Sequence, residues 1–426
     1  MKKTILCSFL AVFAWEAPVQ AIPNSFFGNG NAVPIIPAFP RFNSDLTEEF
    51  LDHGKWQNGE FSGPWREEAS LPDLKVKRMT ANPTVMGEVP MSVVAYSDGS
   101  ETQEIAIHFL DAGLFFGYRF GGEQTEAERE AGKARRKQFS DHMETLLENL
   151  EERLEDGCGR GVKGTLGRTP ELRTEFTEFA WENFVLRLVE REDHSVSLHI
   201  FQEGSEPRSL VDSNWAEASR RDRQERLEEA VIEEEDGSVR IVGVPVLTQG
   251  MTPYCGIHSL AMVSRYIGMK TSPEALAAGA EFKNTGSAGG SDMVGLHRAV
   301  ATELDMRVSI APRLDRSRFE RSIRAGLPVI VWRRVSEQRE NFHARVAEQS
   351  RQGKGSPLPE LGPEDLALLP PRGAKGSPSH ASVLTGWSAD GGEIYYLEPW
   401  GKLGQGRRMR WEELEATAYA VFHFKL

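Results

Sequence analysis

The stretch CGIHSLAMVSRYIG, Cys255–Gly268, is apolar on most of its faces. A surface helix shows one apolar stripe; a helix apolar nearly all round has to be covered on several sides. A chain that carries it must build layers around it. Gly268 is a natural stop, and the strand-like VRIVGVPVL (Val239–Leu247) comes before it. Downstream, SPEALAAGA reads as a helix after Ser272. AGGSDMVGLHRAVATELDM is a Gly-rich entry and then a helix. SRFERSIRAGLPVIVWRR is a helix, a glycine stop and a buried strand at Pro328–Trp332. HASVLTGWSADGGEIYYLEPWG makes two strands around Asp390-Gly391-Gly392; WEELEA is a short helix and YAVFHFKL a closing strand. One helix followed by a sheet that builds up later is α+β order, not alternating α/β.

Ahead of Val239 the pattern differs. MSVVAYSDGSETQEIAIHFL (Met91–Leu110) alternates as two strands around a turn at Asp98-Gly99. A charged helix follows over about 123–156. Its Phe139, Met143, Leu146, Leu147, Leu150 and Leu154 fall at spacings of three and four, one packing stripe closed by Gly157. FVLRLVEREDHSVSLHIF (Phe184–Phe201) is a second hairpin with its turn near Asp193-His194. NWAEASRRDRQERLEEAVIEEEDG (Asn214–Gly237) reads as a solvated charged helix, a plain linker in preference to a cleavage site. The division expected is a separate α+β domain over 22–213, a charged linker over 214–238 and a second domain over 239–426. The Pro/Gly-rich stretch Gln352–Pro378 reads as a long loop with at most one helical turn, ending two residues before His380.

With 426 residues the chain has room for two or three domains, and its formal charge of −13 argues against a nucleic-acid binder, which needs a basic face. At the N-terminus, MKK, the apolar TILCSFLAVFAW and the small-residue ending APVQA form the layout of a secretory signal peptide over 1–21. That predicts a secreted or periplasmic protein with no stable membrane insertion after cleavage. Of three cysteines, Cys7 would leave with the signal. Cys158 and Cys255 remain, and an exported protein could pair them.

Cys255 admits three readings: a disulfide half, an inert buried thiol, or a nucleophile. A thiol nucleophile needs an imidazole, a group to orient that imidazole and donors for an oxyanion. The start of a helix favours the thiolate through the helix dipole. Gln249 stands six positions upstream, within reach of a loop folding back over the helix start. His380 begins an apolar strand, and Glu398 ends the strand EIYYLE that the hairpin sets antiparallel to it. A carboxylate there would accept the imidazole Nδ1–H and fix the tautomer. His258 is more simply a packed helix histidine, and His108, His199 and His423 sit in strand patterns. Trp400 could wall a cleft or fill the core, and Asp390, in the turn, is a poor rival to Glu398. No metal-ligand spacing and no phosphate loop is present in the sequence, so neither metal nor cofactor is expected.

LTQGMTPYCGIHSLAMVSRYIG, AGLPVIVWRR and HASVLTGW…IYYLEPWG together resemble the papain-like cysteine peptidases. The branch they are most similar to is that of the bacteriocin double-glycine leader peptidases. The resemblance spans about 240–426. It implies a central helix carrying the cysteine, packed on an antiparallel sheet. It also implies Gln249 as oxyanion donor, Cys255 as nucleophile, His380 as general base and acid, Glu398 as orienter, and a peptide or protein substrate. Roughly 130–150 residues separate cysteine and histidine in papain-type enzymes; here the gap is 125. The branch usually has Asp before Pro-Trp, and this chain has Glu. YCGIHS also replaces the usual Asp-Cys-Gly-Pro start, and there are no transporter spans. The remaining alternatives are an amidase or acyl transferase on the same thiol, and a papain-like binding module without catalysis.

Overall fold

The computed structural model describes residues 40–426 apart from 72, 100, 118–124, 251, 281–291 and 375–376. The expected signal segment, residues 1–21, lies outside the described residues. Two large antiparallel sheets organise the chain. The first is built from residues 65–202 and runs, edge to edge, Trp65–Leu71, Leu74–Met79, Ser92–Asp98, Glu101–Asp111, Ser195–Gln202, Phe184–Arg191, Thr174–Trp181, Val162–Leu166. Both expected hairpins lie at its centre. Side chains alternate between the faces of a strand. In Glu101–Asp111 this sends Ile105, Ile107 and Phe109 into a core with Phe139, Met143, Leu146 and Leu150 of a long helix. The alternate residue Ala106 goes into a different core, shared with the second sheet. This strand is therefore buried on both faces, and its sheet has no solvent side there.

The long helix covers Glu126–Cys158. Thr125 and Glu128 form a reciprocal capping box that starts it. It runs through Gly157 and ends at Gly159, whose φ is 78°. Gly157 serves a different purpose from the expected stop: a Cβ there would lie 2.2 Å from the Trp181 ring.

The charged segment expected as one solvated helix is two short ones, Ser213–Glu217 and Arg220–Glu229, followed by an edge strand, Val231–Glu233. Ser219 caps the second helix, with Asp222 returning the bond. Trp215 is buried and its indole N–H donates to the Leu304 carbonyl at 3.0 Å. This segment is docked on the C-terminal part of the chain.

The second sheet runs Val231–Glu233, Val239–Ile241, Ser379–Trp387, Val329–Arg334, Ala418–Lys425, Arg307–Ala311, with Glu393–Leu397 and Arg407–Arg410 continuing from Ser379–Trp387. The helix Cys255–Ile267 packs on this sheet. Ser259 Oγ donates to the Ala381 carbonyl at 3.1 Å, and Leu260, Ala261, Met262 and Val263 are buried. The covering that the apolar sequence demanded comes from the second sheet and from the first, which meets the same core through Val76, Val94 and Tyr96. A further helix, Glu337–Arg351, escaped the sequence reading. Among the described residues of 352–378 a single turn of helix forms, at Pro363–Ala367. Among the described residues no helix is long and apolar enough to cross a membrane.

Candidate active site

Strand register brings the polar residues together. Arg333 stands opposite His380, and Val383 opposite Leu397. Directly paired residues share a face, so Arg333, His380 and Ser382 project together, and Glu398, the residue after Leu397, comes level with Ser382. Glu398 Oε2 lies 2.5 Å from His380 Nε2. Its other oxygen accepts from Ser382 Oγ at 2.7 Å and from Arg333 Nη2 at 2.9 Å. The carboxylate therefore meets Nε2, not the Nδ1 anticipated from sequence. The ring orientation depends on the histidine rotamer, which strand pairing alone does not decide.

Nε2 is taken by Glu398, and Cys255 lies close enough to the imidazole to act on its charge. Burial alone would lower the His380 pKa. The Glu398 carboxylate and Cys255 outweigh burial and push it up to about 10. Burial opposes the charge on Glu398 as well, but His380 and Arg333 hold its pKa below the usual carboxylate value. His380 and Glu398 are fully enclosed at 0% exposure, whereas Cys255 keeps 6%. Of the three residues, Cys255 keeps the most exposure. Trp400 stacks on the imidazole with centroids 4.9 Å apart and 28° between planes. Trp400 therefore packs on the general-base candidate directly.

Cys255 is the first residue of its helix and Tyr254 the N-cap. The first N–H groups of a helix have no partner within it, and their dipole favours negative charge at the sulphur. Gly256 follows because Trp332 lies against the helix there: a Cβ at that position would be 2.2 Å from the indole. Gln249 is buried in the loop just upstream. Its backbone N–H donates to the Pro399 carbonyl at 2.9 Å, and Thr248 bridges to Trp400. The loop before Cys255 is thus strapped to the segment that carries Glu398. The Gln249 amide donates to the Thr252 carbonyl at 3.3 Å, while Thr252 Oγ1 returns a 2.7 Å bond to the Gln249 carbonyl.

Several supporting residues carried no signal in the sequence. Arg333 bridges Glu398 to Glu340, its Nη1 reaching Glu340 Oε1 at 2.7 Å. Glu340 also meets Arg407 at 3.3 Å. Both acids are buried, and the surrounding cations hold Glu340 well below the usual carboxylate range against the cost of burial. Tyr419 bonds Ser379, next to His380, and lies near enough to Cys255 for the sulphur's charge to add to the burial that raises its phenol. Arg334 holds the end of the long loop through the Ser377 carbonyl at 3.0 Å.

The other histidines stay outside this cluster. His258 is buried, with Nδ1 3.2 Å from the Tyr254 carbonyl, and burial pushes its pKa down to about 4. His199 faces Glu104 and His423 faces Ser322. Asp390 caps its own turn through the Gly392 N–H and Ser388. Cys158 and Cys255 are both free thiols, so the disulfide alternative is not the arrangement found. Among the described residues no group of three or more His, Cys, Asp or Glu is placed to hold a metal ion.

Residues 241–425 match the Peptidase_C39 like family. This C-terminal part of the chain is a papain-like C39 domain. No curated protein matches the chain. A solved structure of a C39-like peptidase from Bacillus anthracis is 18% identical, covers 44% of this chain and 96% of that one, and superimposes with a TM-score of 0.29. It is the family match that ties residues 241–425 to the peptidases.

Proposed function

We propose that the chain is an exported cysteine peptidase that hydrolyses peptide or isopeptide bonds through a thioacyl intermediate on Cys255. The observation that carries this reading is the buried His380 imidazole, held by the Glu398 carboxylate at 2.5 Å and near enough to Cys255 to respond to it. A raised His380 pKa favours the ion pair of thiolate and imidazolium, which is the reactive form of such a site.

The thiolate attacks the substrate carbonyl carbon. The Gln249 amide and the Cys255 backbone N–H receive the oxyanion. The imidazolium gives its Nδ1 proton to the leaving amine as the C–N bond breaks, leaving a thioester. A water molecule then loses a proton to Nδ1 and attacks the thioester, the acid departs, and the thiolate forms again. Glu398 keeps the ring oriented and stabilises the imidazolium at both stages. The signal-like segment 1–21 is the reason for proposing export.

The test is digestion of a peptide mixture in ¹⁸O-labelled water. The reading expects new N-termini and one ¹⁸O in each new carboxylate, with both lost in Cys255→Ser. An acyl transferase would instead pass the acyl group to an added amine without ¹⁸O. Cleavage that persists in Cys255→Ser would remove the thiol from the reaction.

A further inference from the structure

Tyr254, the residue before the thiol, does not point into its own domain. Its hydroxyl accepts the Gly113 backbone N–H at 2.8 Å and donates to Asp111 Oδ2 at 3.3 Å. Asp111 ends the Glu101–Asp111 strand of the first sheet and Gly113 lies in the short helix Ala112–Phe116 that follows it, both outside the residues that match the peptidase family. Asp111 is itself fixed, its other oxygen accepting the Leu114 N–H at 2.8 Å. Burial raises the Tyr254 phenol well above its ordinary value, so it stays a hydroxyl able to do both. The fit is tight. A Cβ on Gly113 would lie 2.2 Å from the Tyr254 ring, so only glycine lets the ring lie there.

The peptide unit joining Tyr254 to Cys255 is planar and nearly rigid. It carries the Cys255 N–H, and it sets where the sulphur leaves the helix. A displacement of about 1 Å at a reacting group can cost about a hundredfold in rate. We infer that the first sheet is a fixed part of the reactive centre: Asp111 and Gly113 are positioning residues that act on Cys255 through the Tyr254 hydroxyl. On this account residues 40–213 are not a removable inhibitory segment. The inference rests on Cys255 being the nucleophile.

The contact is one point in a broad junction. Across it Arg168 reaches Glu303 at 3.3 Å, and the Thr169 N–H donates to Glu303 at 2.8 Å. None of these bonds involves Tyr254 or Cys255, so they provide a control for plain loss of docking.

The experiment measures the rate of iodoacetamide labelling at Cys255 across pH in the full chain, with the labelled peptide identified by mass. Thermal melting of each variant is recorded beside it. Tyr254→Phe keeps the ring and loses the hydroxyl, and is expected to label at least ten times more slowly at neutral pH, with its profile moved to higher pH. Asp111→Ala should match it, and Asp111→Asn, which keeps an acceptor, should recover part of the rate. Arg168→Gln should lower the melting temperature yet keep the wild-type profile. Wild-type profiles in Tyr254→Phe and Asp111→Ala overturn the inference, as does an equal shift in Arg168→Gln. If wild-type Cys255 itself labels as an ordinary thiol, the peptidase reading falls and this inference with it. Fast wild-type labelling with unchanged variants overturns the inference alone.

Discussion

His380 Nε2 and Glu398 Oε2 are 2.5 Å apart, while the second Glu398 oxygen is clamped by Arg333 and Ser382. The longer side chain in place of the usual Asp is accommodated by this clamp. Glu398→Gln removes the charge that raises His380, and kcat is expected to fall roughly 10²–10⁴-fold. Glu398→Asp keeps the charge but falls short of either the clamp or the ring, at a cost of about 10²-fold. Steady-state rates on any cleaved peptide check both; an unimpaired Glu398→Gln enzyme would remove the acid from the mechanism.

Arg333 stands between two buried carboxylates, Glu398 and Glu340. A buried ion pair adds little net stability, yet stripping one partner leaves an uncompensated charge and costs about 3–5 kcal/mol. Arg333→Met should lose about that much in urea denaturation. Adding Glu340→Gln to it should restore part of the loss, because the like charges of Glu340 and Glu398 then no longer face each other without the cation between them. Equal stability of Arg333→Met and wild type would contradict this.

The pH dependence has a definite sign. The folded His380 pKa of about 10 lies above the unfolded value, about 6.5 for a histidine. The folded state therefore binds the proton more tightly. The stability that His380 contributes is complete below the unfolded pKa and is lost as pH rises through the folded one. The gap in unfolding free energy between wild type and His380→Gln should shrink steadily from about pH 6.5 to about pH 10. A gap that widens over that range would mean the ring is held neutral.

Gly256→Ala sets two effects against each other. Alanine gains about 1 kcal/mol in helix propensity. Its methyl would also meet the rigid Trp332 indole at 2.2 Å, and overpacking costs about 1–3 kcal/mol. The expected result is a net loss of stability together with slower labelling of Cys255, because the helix start has to move. Faster labelling would contradict it.

Cys158 ends the long helix as a free thiol against the first core. Cys158→Ala should leave the rate of peptide cleavage unchanged, and reductant should not change mobility on a non-reducing gel. A mobility shift that disappears in Cys158→Ala would restore the disulfide reading.

Local patterns carried much of this architecture. Alternation marked the strands on either side of Asp98-Gly99 and Asp193-His194, and the stripe from Phe139 to Leu154 marked the long helix. The apolar sweep of Cys255–Ile267 announced a covered helix. The sequence also supplied the pairing of His380 with Glu398, through a short hairpin whose register is set locally. What escaped was assembled across long separations. Glu337–Arg351 shows no clean apolar stripe because its inward side chains include Arg339, Glu340 and His343, which face other charges. Arg333 reads as one more residue of a basic strand end until Glu340 and Glu398 converge on it. Tyr254 reads as filler beside a cysteine, since Asp111 lies 143 positions away. The segment after Asn214 looked solvated because its charges outnumber Trp215 and Leu227, its two buried apolar residues.

The central claim is that His380, held by Glu398, keeps Cys255 reactive. The measurement that meets it most directly is the rate of iodoacetamide labelling at Cys255 against pH, in wild type and in His380→Ala. The account predicts fast wild-type labelling near about pH 6, well below the ordinary thiol pKa of about 8.5, and a profile in His380→Ala that rises only toward that ordinary value. Superimposable profiles would contradict it.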